Sequence, residues 1–217
     1  MPPEVLQHGY MAIKTKPSVP IAYSFAKGTR QLGQGSKTLV IFCSGLCDPM
    51  KLWYPMLATT AKVREQKSCP LMLLYDCFGS GATGRDPIDE RKDAKDTHDI
   101  MDAAWDLREL LICVAERHLA ITLREINNLW LVLVAHSMGA AVAELYAKAY
   151  PKTVAALLVL DGTPTNTDGM SWFPDPDAFD FSPVALPKGV TPELLRIARA
   201  QHRASVYNPN TINGECL

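Results

Sequence analysis

The sequence predicts an α/β protein built on a doubly wound, mostly parallel sheet. Three observations carry that expectation. Continuous apolar runs at residues 38–43, 71–75, 129–134 and 156–161 have the unbroken texture of strands covered on both faces. Segments with helical spacing alternate with them, most clearly residues 96–119, where Ile100, Ala103, Ala104, Leu107, Leu110, Leu111 and Val114 share one face. The third run passes abruptly, through Ala135-His136-Ser137-Met138-Gly139, into an Ala-rich helix. Strand–helix–strand alternation with apolar strands means a parallel sheet wound in both directions.

Taken in order, residues 9–15 and 21–26 alternate and are split by Pro17 and Pro20, which predicts an opening antiparallel hairpin at a sheet edge. A Gly-rich turn leads to the central strand at 38–43. The loop Ser44-Gly45-Leu46-Cys47-Asp48-Pro49 follows, and Trp53 to Leu57 open a helix. After the strand at 71–75 comes a loop punctuated by Gly79, Gly81 and Gly84. Asp96 or Thr97 is placed to cap the long helix. The helix after Ser137 runs to Tyr150 and stops at Pro151. Beyond Gly162 the texture changes: residues 163–189 hold five prolines with Trp172 and Phe173, then a short helix at 192–204 and a polar tail. The expected organisation is a core at 1–162 and a Pro-rich partial cap with tail at 163–217.

Composition bounds the function. A chain of 217 residues, 47% hydrophobic and 21% charged, is an ordinary globular domain. A net charge of −1 without a basic stripe argues against nucleic acid and anionic membranes as partners. No run approaches a membrane span, and the first twenty residues lack an apolar leader core, so a cytoplasmic protein is expected. The six cysteines form no C-x-x-C pair and are expected to be reduced. No metal-ligand cluster is visible and no organic cofactor is implied.

Strand, tight turn and helix around Ser137 are the context that the G-x-S-x-G nucleophile elbow requires, with Ala135 in place of the first glycine. The plainer alternative is a strand and helix with Ser137 as N-cap. Taken with Ser44-Gly45-Leu46, Trp53 and Tyr75-Asp76-x-x-Gly79-x-Gly81, the chain resembles the α/β-hydrolase family over residues 9–205, and most of all uncharacterised fungal members. The resemblance implies that Ser137 is the nucleophile and that the backbone N–H groups of Leu46 and Met138 form the oxyanion hole. Two such donors stabilise the charge that acyl transfer places on a carbonyl oxygen, and one is worth about 3 kcal/mol. Ser44 stands where the family has a histidine, either steadying the loop or serving as a turn residue. His136, directly before the serine, is assigned a structural role.

In this family an acid and then a histidine follow the serine. Asp161, ending the strand before Gly162, is a candidate acid, or a turn former. His202 is the one histidine downstream of Ser137; it sits on what resembles the polar face of a cap helix and is a weak candidate for the base. No further pair of apolar strands follows, so the last strands and helix of the fold are expected to be missing. A sheet left uncovered in this way predicts marginal stability and self-association.

The leading function is a serine hydrolase of ester, thioester or related acyl bonds in a small, largely apolar molecule. A C–C hydrolase or lyase uses the same elbow. The competing class is a non-catalytic small-molecule binder that has lost the proton relay. A nucleotide-binding reading of Gly79-x-Gly81-x-x-Gly84 is disfavoured, because Asp86-Pro87 stands where a helix should begin.

Overall fold

The computed structural model describes residues 6–28, 37–63, 70–88, 99–162 and 191–197. Among the described residues six strands form one sheet: β1 (Gln7–Met11), β2 (Ile21–Ala26), β3 (Lys37–Cys43), β4 (Leu71–Tyr75), β5 (Leu129–Ser137) and β6 (Val154–Gly162). Their order is β1-β2-β4-β3-β5-β6. The hairpin β1–β2 is antiparallel and β2 joins β4 antiparallel, whereas β4, β3, β5 and β6 run parallel. The expected mostly parallel, doubly wound α/β sheet is what the chain builds.

Three helices cover it: α1 (Tyr54–Val63), α2 (Ile100–Leu119) and α3 (Gly139–Ala149). The period-2 geometry of strands splits the core in two. Leu39, Ile41 and Cys43 of β3 point to the layer that holds Leu107, Leu110 and Leu111 of α2 and Ala143 and Tyr146 of α3. Phe42 points the other way, to Trp53 and Leu57. The continuous apolar runs seen in the sequence are therefore the consequence of helices on both faces.

Three details depart from expectation. The first strand occupies Gln7–Met11 rather than residues 9–15. The following stretch turns away because Lys16 is buried, with its ammonium 2.8 Å from Asp106 and 2.5 Å from Asp86. The cap of α2 is Asp99, not Asp96 or Thr97. Its carboxylate accepts from the Asp102 N–H at 2.8 Å while the Asp102 carboxylate accepts from the Asp99 N–H at 3.1 Å, a reciprocal box. Among the described cysteines, Cys43, Cys77 and Cys113 are free thiols, but Cys47 is disulfide-bonded, which corrects the expectation that all six are reduced.

The expected cap, residues 163–189, and the tail from 207 lie outside the described residues, while 192–197 are helical. No helix among the described residues is long and apolar enough to cross a membrane.

Candidate active site

In this sheet the chain leaves β3 toward β4 on one side and later returns to pair β5 on the other. The strand order reverses between β3 and β5, and their carboxyl ends open a crevice there, where ligands bind in open α/β sheets. Ser44 follows β3 and Ser137 ends β5, so the two loops singled out in the sequence meet at that crevice.

The register of β3 with β5 pairs Cys43 with Ala135, placing the serine two residues beyond the end of the pairing. Ser137 has φ 52°, a left-handed conformation that a non-glycine residue adopts at a cost of about 1–2 kcal/mol. Its backbone reverses there, and α3 begins two residues later. Gly139 is required by contact: a Cβ there would stand 2.3 Å from the Cys43 carbonyl oxygen and 2.6 Å from that of Ser44. Ala135, where the family pattern has glycine, is completely buried and accommodated.

The loop after β3 is held at several points. Trp53 Nε1–H donates to Ser44 Oγ at 2.9 Å, so the Ser44 hydroxyl does steady the loop. The Asp48 N–H donates to the Gly45 carbonyl at 3.2 Å, closing a turn around Leu46 and Cys47, the latter at φ 58°. His136 Nδ1–H donates to Asp48 Oδ2 at 3.1 Å, and the imidazole stands nearly perpendicular to the Trp53 ring, centroids 6.4 Å apart. The Met50 N–H donates to Asp76 at 2.6 Å. Neither the Leu46 nor the Met138 amide has a hydrogen-bond partner among the described residues.

The glycine-punctuated loop wraps an acid. Asp76 is buried and accepts from the Ala82 N–H at 2.8 Å, and a Cβ at Gly81 would collide with its carboxylate. A carboxylate therefore sits where a nucleotide reading would need a phosphate. Burial pushes the Cys43 thiol up to about 12, and that of the partly buried Cys77 up to about 11, which keeps both un-ionised at neutral pH. Among the described residues no group of His, Cys, Asp and Glu could hold a metal ion.

Asp161 is exposed at the end of β6, at φ 48°, and its neighbour Gly162 registers with Ser137. His202 lies outside the described residues. Of the described histidines, His8 bonds Ser24 and His118 bonds Tyr23, and both are thereby committed elsewhere. Among the described residues no side chain hydrogen-bonds Ser137. The contacts of Asp48 and Asp76 were not foreseen, since isolated loop acids carry no periodic signal.

A family model described as "Alpha/beta hydrolase family" matches residues 40–210. The crystal structure of "Putative hydrolase from Agrobacterium vitis S4" superposes with a TM-score of 0.52 at 12% identity, covering 76% of this chain and 56% of its own. That of "predicted CIB-like hydrolase from Thermoplasma acidophilum" gives 0.50 at 14% identity, covering 74% of this chain and 65% of its own. The chain thus spans less than two thirds of either, and at such identities the likeness is one of fold. No curated protein matches it.

Proposed function

The chain belongs to the α/β-hydrolase family, and on that premise we propose that it is a serine hydrolase of ester, thioester or related acyl bonds in a small, largely apolar molecule. The observation that carries this reading is the backbone of Ser137. The serine is held at positive φ between β5 and α3, with Gly139 packed against the carbonyls that lead into the Ser44 loop. Nothing in the packing of a strand on a helix demands that strain, and strain of this kind collects at functional sites.

In the proposed reaction Ser137 Oγ attacks the acyl carbon and passes its proton to a base. The oxygen that becomes negative is received by the Leu46 and Met138 N–H groups. Collapse expels the alcohol or thiol, and water then releases the acid from the acyl-enzyme. Asp161 and His202 remain the proposed acid and base. The exposed side chain of Leu46 offers an apolar contact for the acyl chain.

The second reading, a binder without turnover, is favoured by one observation: no described side chain bonds the serine. A C–C hydrolase would share the elbow and differ in substrate. Fluorophosphonate labelling of the folded chain, with Ser137→Ala as control, separates catalysis from binding. Labelling that disappears in the variant supports the hydrolase, and slower labelling in Asp161→Asn and His202→Ala supports their roles. A folded chain that stays unlabelled overturns the hydrolase in favour of the binder.

A further inference from the structure

We propose that Asp48 and His136 form a positioning pair that fixes the oxyanion loop against the elbow. The pair bridges the two halves of the site. His136 is covalently next to Ser137, and Asp48 closes the turn that carries the Leu46 amide, so their 3.1 Å bond makes one rigid unit of nucleophile and donor. Gly45 lies inside that unit: a Cβ there would stand 2.7 Å from Asp48 Oδ2, 3.0 Å from Ser137 Cβ and 3.4 Å from His136 Nδ1. Loop, histidine and serine are therefore packed as closely as a missing side chain allows.

The placement distinguishes positioning from support of the fold. The His136 and Asp48 side chains are 42% and 31% exposed, on the crevice rather than in the core. An ion pair or hydrogen bond in such a position adds little to global stability. The loop is already secured on either side of the turn, by Trp53 on Ser44 and by Asp76 on the Met50 amide. Within the turn itself the Cys47 disulfide and the Ser80 hydroxyl on the Asp48 carbonyl hold the backbone, and the His136–Asp48 bond is the contact that ties it to the nucleophile strand and so sets where the Leu46 N–H points relative to Ser137. A donor turned away from the oxyanion contributes nothing, and loss of one donor costs roughly 100-fold or more in turnover.

The inference rests on the serine-hydrolase reading for its kinetic consequence but not for its structural one, and two measurements separate them. The first is amide hydrogen exchange of residues 44–49 in wild type, Asp48→Ala and His136→Phe, the phenylalanine keeping a ring against Trp53. The second is hydrolysis of a p-nitrophenyl ester, with melting temperature followed in parallel. The expected result is faster exchange across the loop, an unchanged melting temperature and kcat lower by about 10- to 100-fold with KM little altered. Asp48→Asn and His136→Asn, which retain an acceptor and a donor near the original atoms, should restore most of both. Loop exchange and kcat at wild-type values in Asp48→Ala and His136→Phe overturn the proposal. If the wild type does not turn over at all, the hydrolase reading fails, and exchange alone decides the pair: faster supports it, unchanged overturns it.

Discussion

Replacing Gly139 by alanine tests the construction of the elbow most directly, because two effects of known size oppose each other. Gly139 is the first residue of α3, and alanine in a helix is favoured over glycine by about 1 kcal/mol. A Cβ there would stand 2.3, 2.6 and 2.7 Å from the Cys43 oxygen, the Ser44 oxygen and the Cys43 carbon, all of them backbone. Side-chain ends give way cheaply, but these carbonyls are fixed by the β3–β5 ladder on one side and the Ser44–Trp53 bond on the other. Overpacking costs about 1–3 kcal/mol, and an immovable obstacle puts this site in the upper half of that range. After subtracting the propensity gain, about 1–2 kcal/mol of destabilisation remains. For a chain of 217 residues that lowers the melting temperature by about 2–8 °C. Thermal unfolding by circular dichroism measures it, with Gly84→Ala as control, where the new Cβ would touch only a Val19 methyl at 3.0 Å. Because the displaced carbonyls lead into the Leu46 turn, fluorophosphonate labelling should slow as well. A Gly139→Ala chain that melts at or above the wild type and labels at the wild-type rate would refute the reasoning.

Other consequences are as open to measurement. Ser137→Gly, which removes the strain at φ 52°, should be more stable than Ser137→Ala by about 1 kcal/mol in urea unfolding, since both lack the hydroxyl. Lys16→Met removes the ammonium that pairs with the buried Asp86 and Asp106 and should cost about 3–5 kcal/mol. Burial alone would lower the Lys16 pKa, but the hydrogen bonds to Asp106 and Asp86 outweigh it and carry the value above 10.5. The Lys16 contribution is thus complete below 10.5 and is lost as pH climbs through the raised value, so the gap between wild type and Lys16→Met should narrow in strong alkali. Site-resolved alkylation near neutral pH should leave Cys43 unmodified until the chain unfolds, burial having both covered its thiol and pushed it up. Leu158, Val159 and Leu160 of β6 are exposed, and β6 pairs only β5 among the described residues. Sedimentation should therefore show concentration-dependent self-association that Leu158→Lys suppresses.

Much of this architecture was legible because each core strand satisfies its neighbours on both faces. Residues 71–75 and 21–26 are strands with the boundaries their composition suggests. Where the boundary moved, a polar contact distant in sequence moved it. Lys16 is drawn down by Asp86 and Asp106, 70 and 90 residues away, and that ends the first strand before the alternating pattern does. The cap of α2 is a local contact instead: Asp99 and Asp102, three residues apart, each accept from the other's backbone N–H.

The site divides along the same line. Its covalent geometry is local: a small residue, Ser and Gly between a strand and a helix dictate the turn, and Ser137 could be singled out from five letters and their flanks. Its electrostatic geometry is not local. Asp48 meets His136 across 88 residues, and Asp76 meets the Met50 amide across 26, only because β3, β4 and β5 are adjacent at their carboxyl ends. Strand order is therefore the missing term in a linear reading. Once β3 is known to lie between β4 and β5, the loops that follow the three strands must converge. Three loops with Asp48, Asp76 and His136 at their bases then supply one another's partners, and the amide held between them is the one the proposed chemistry needs.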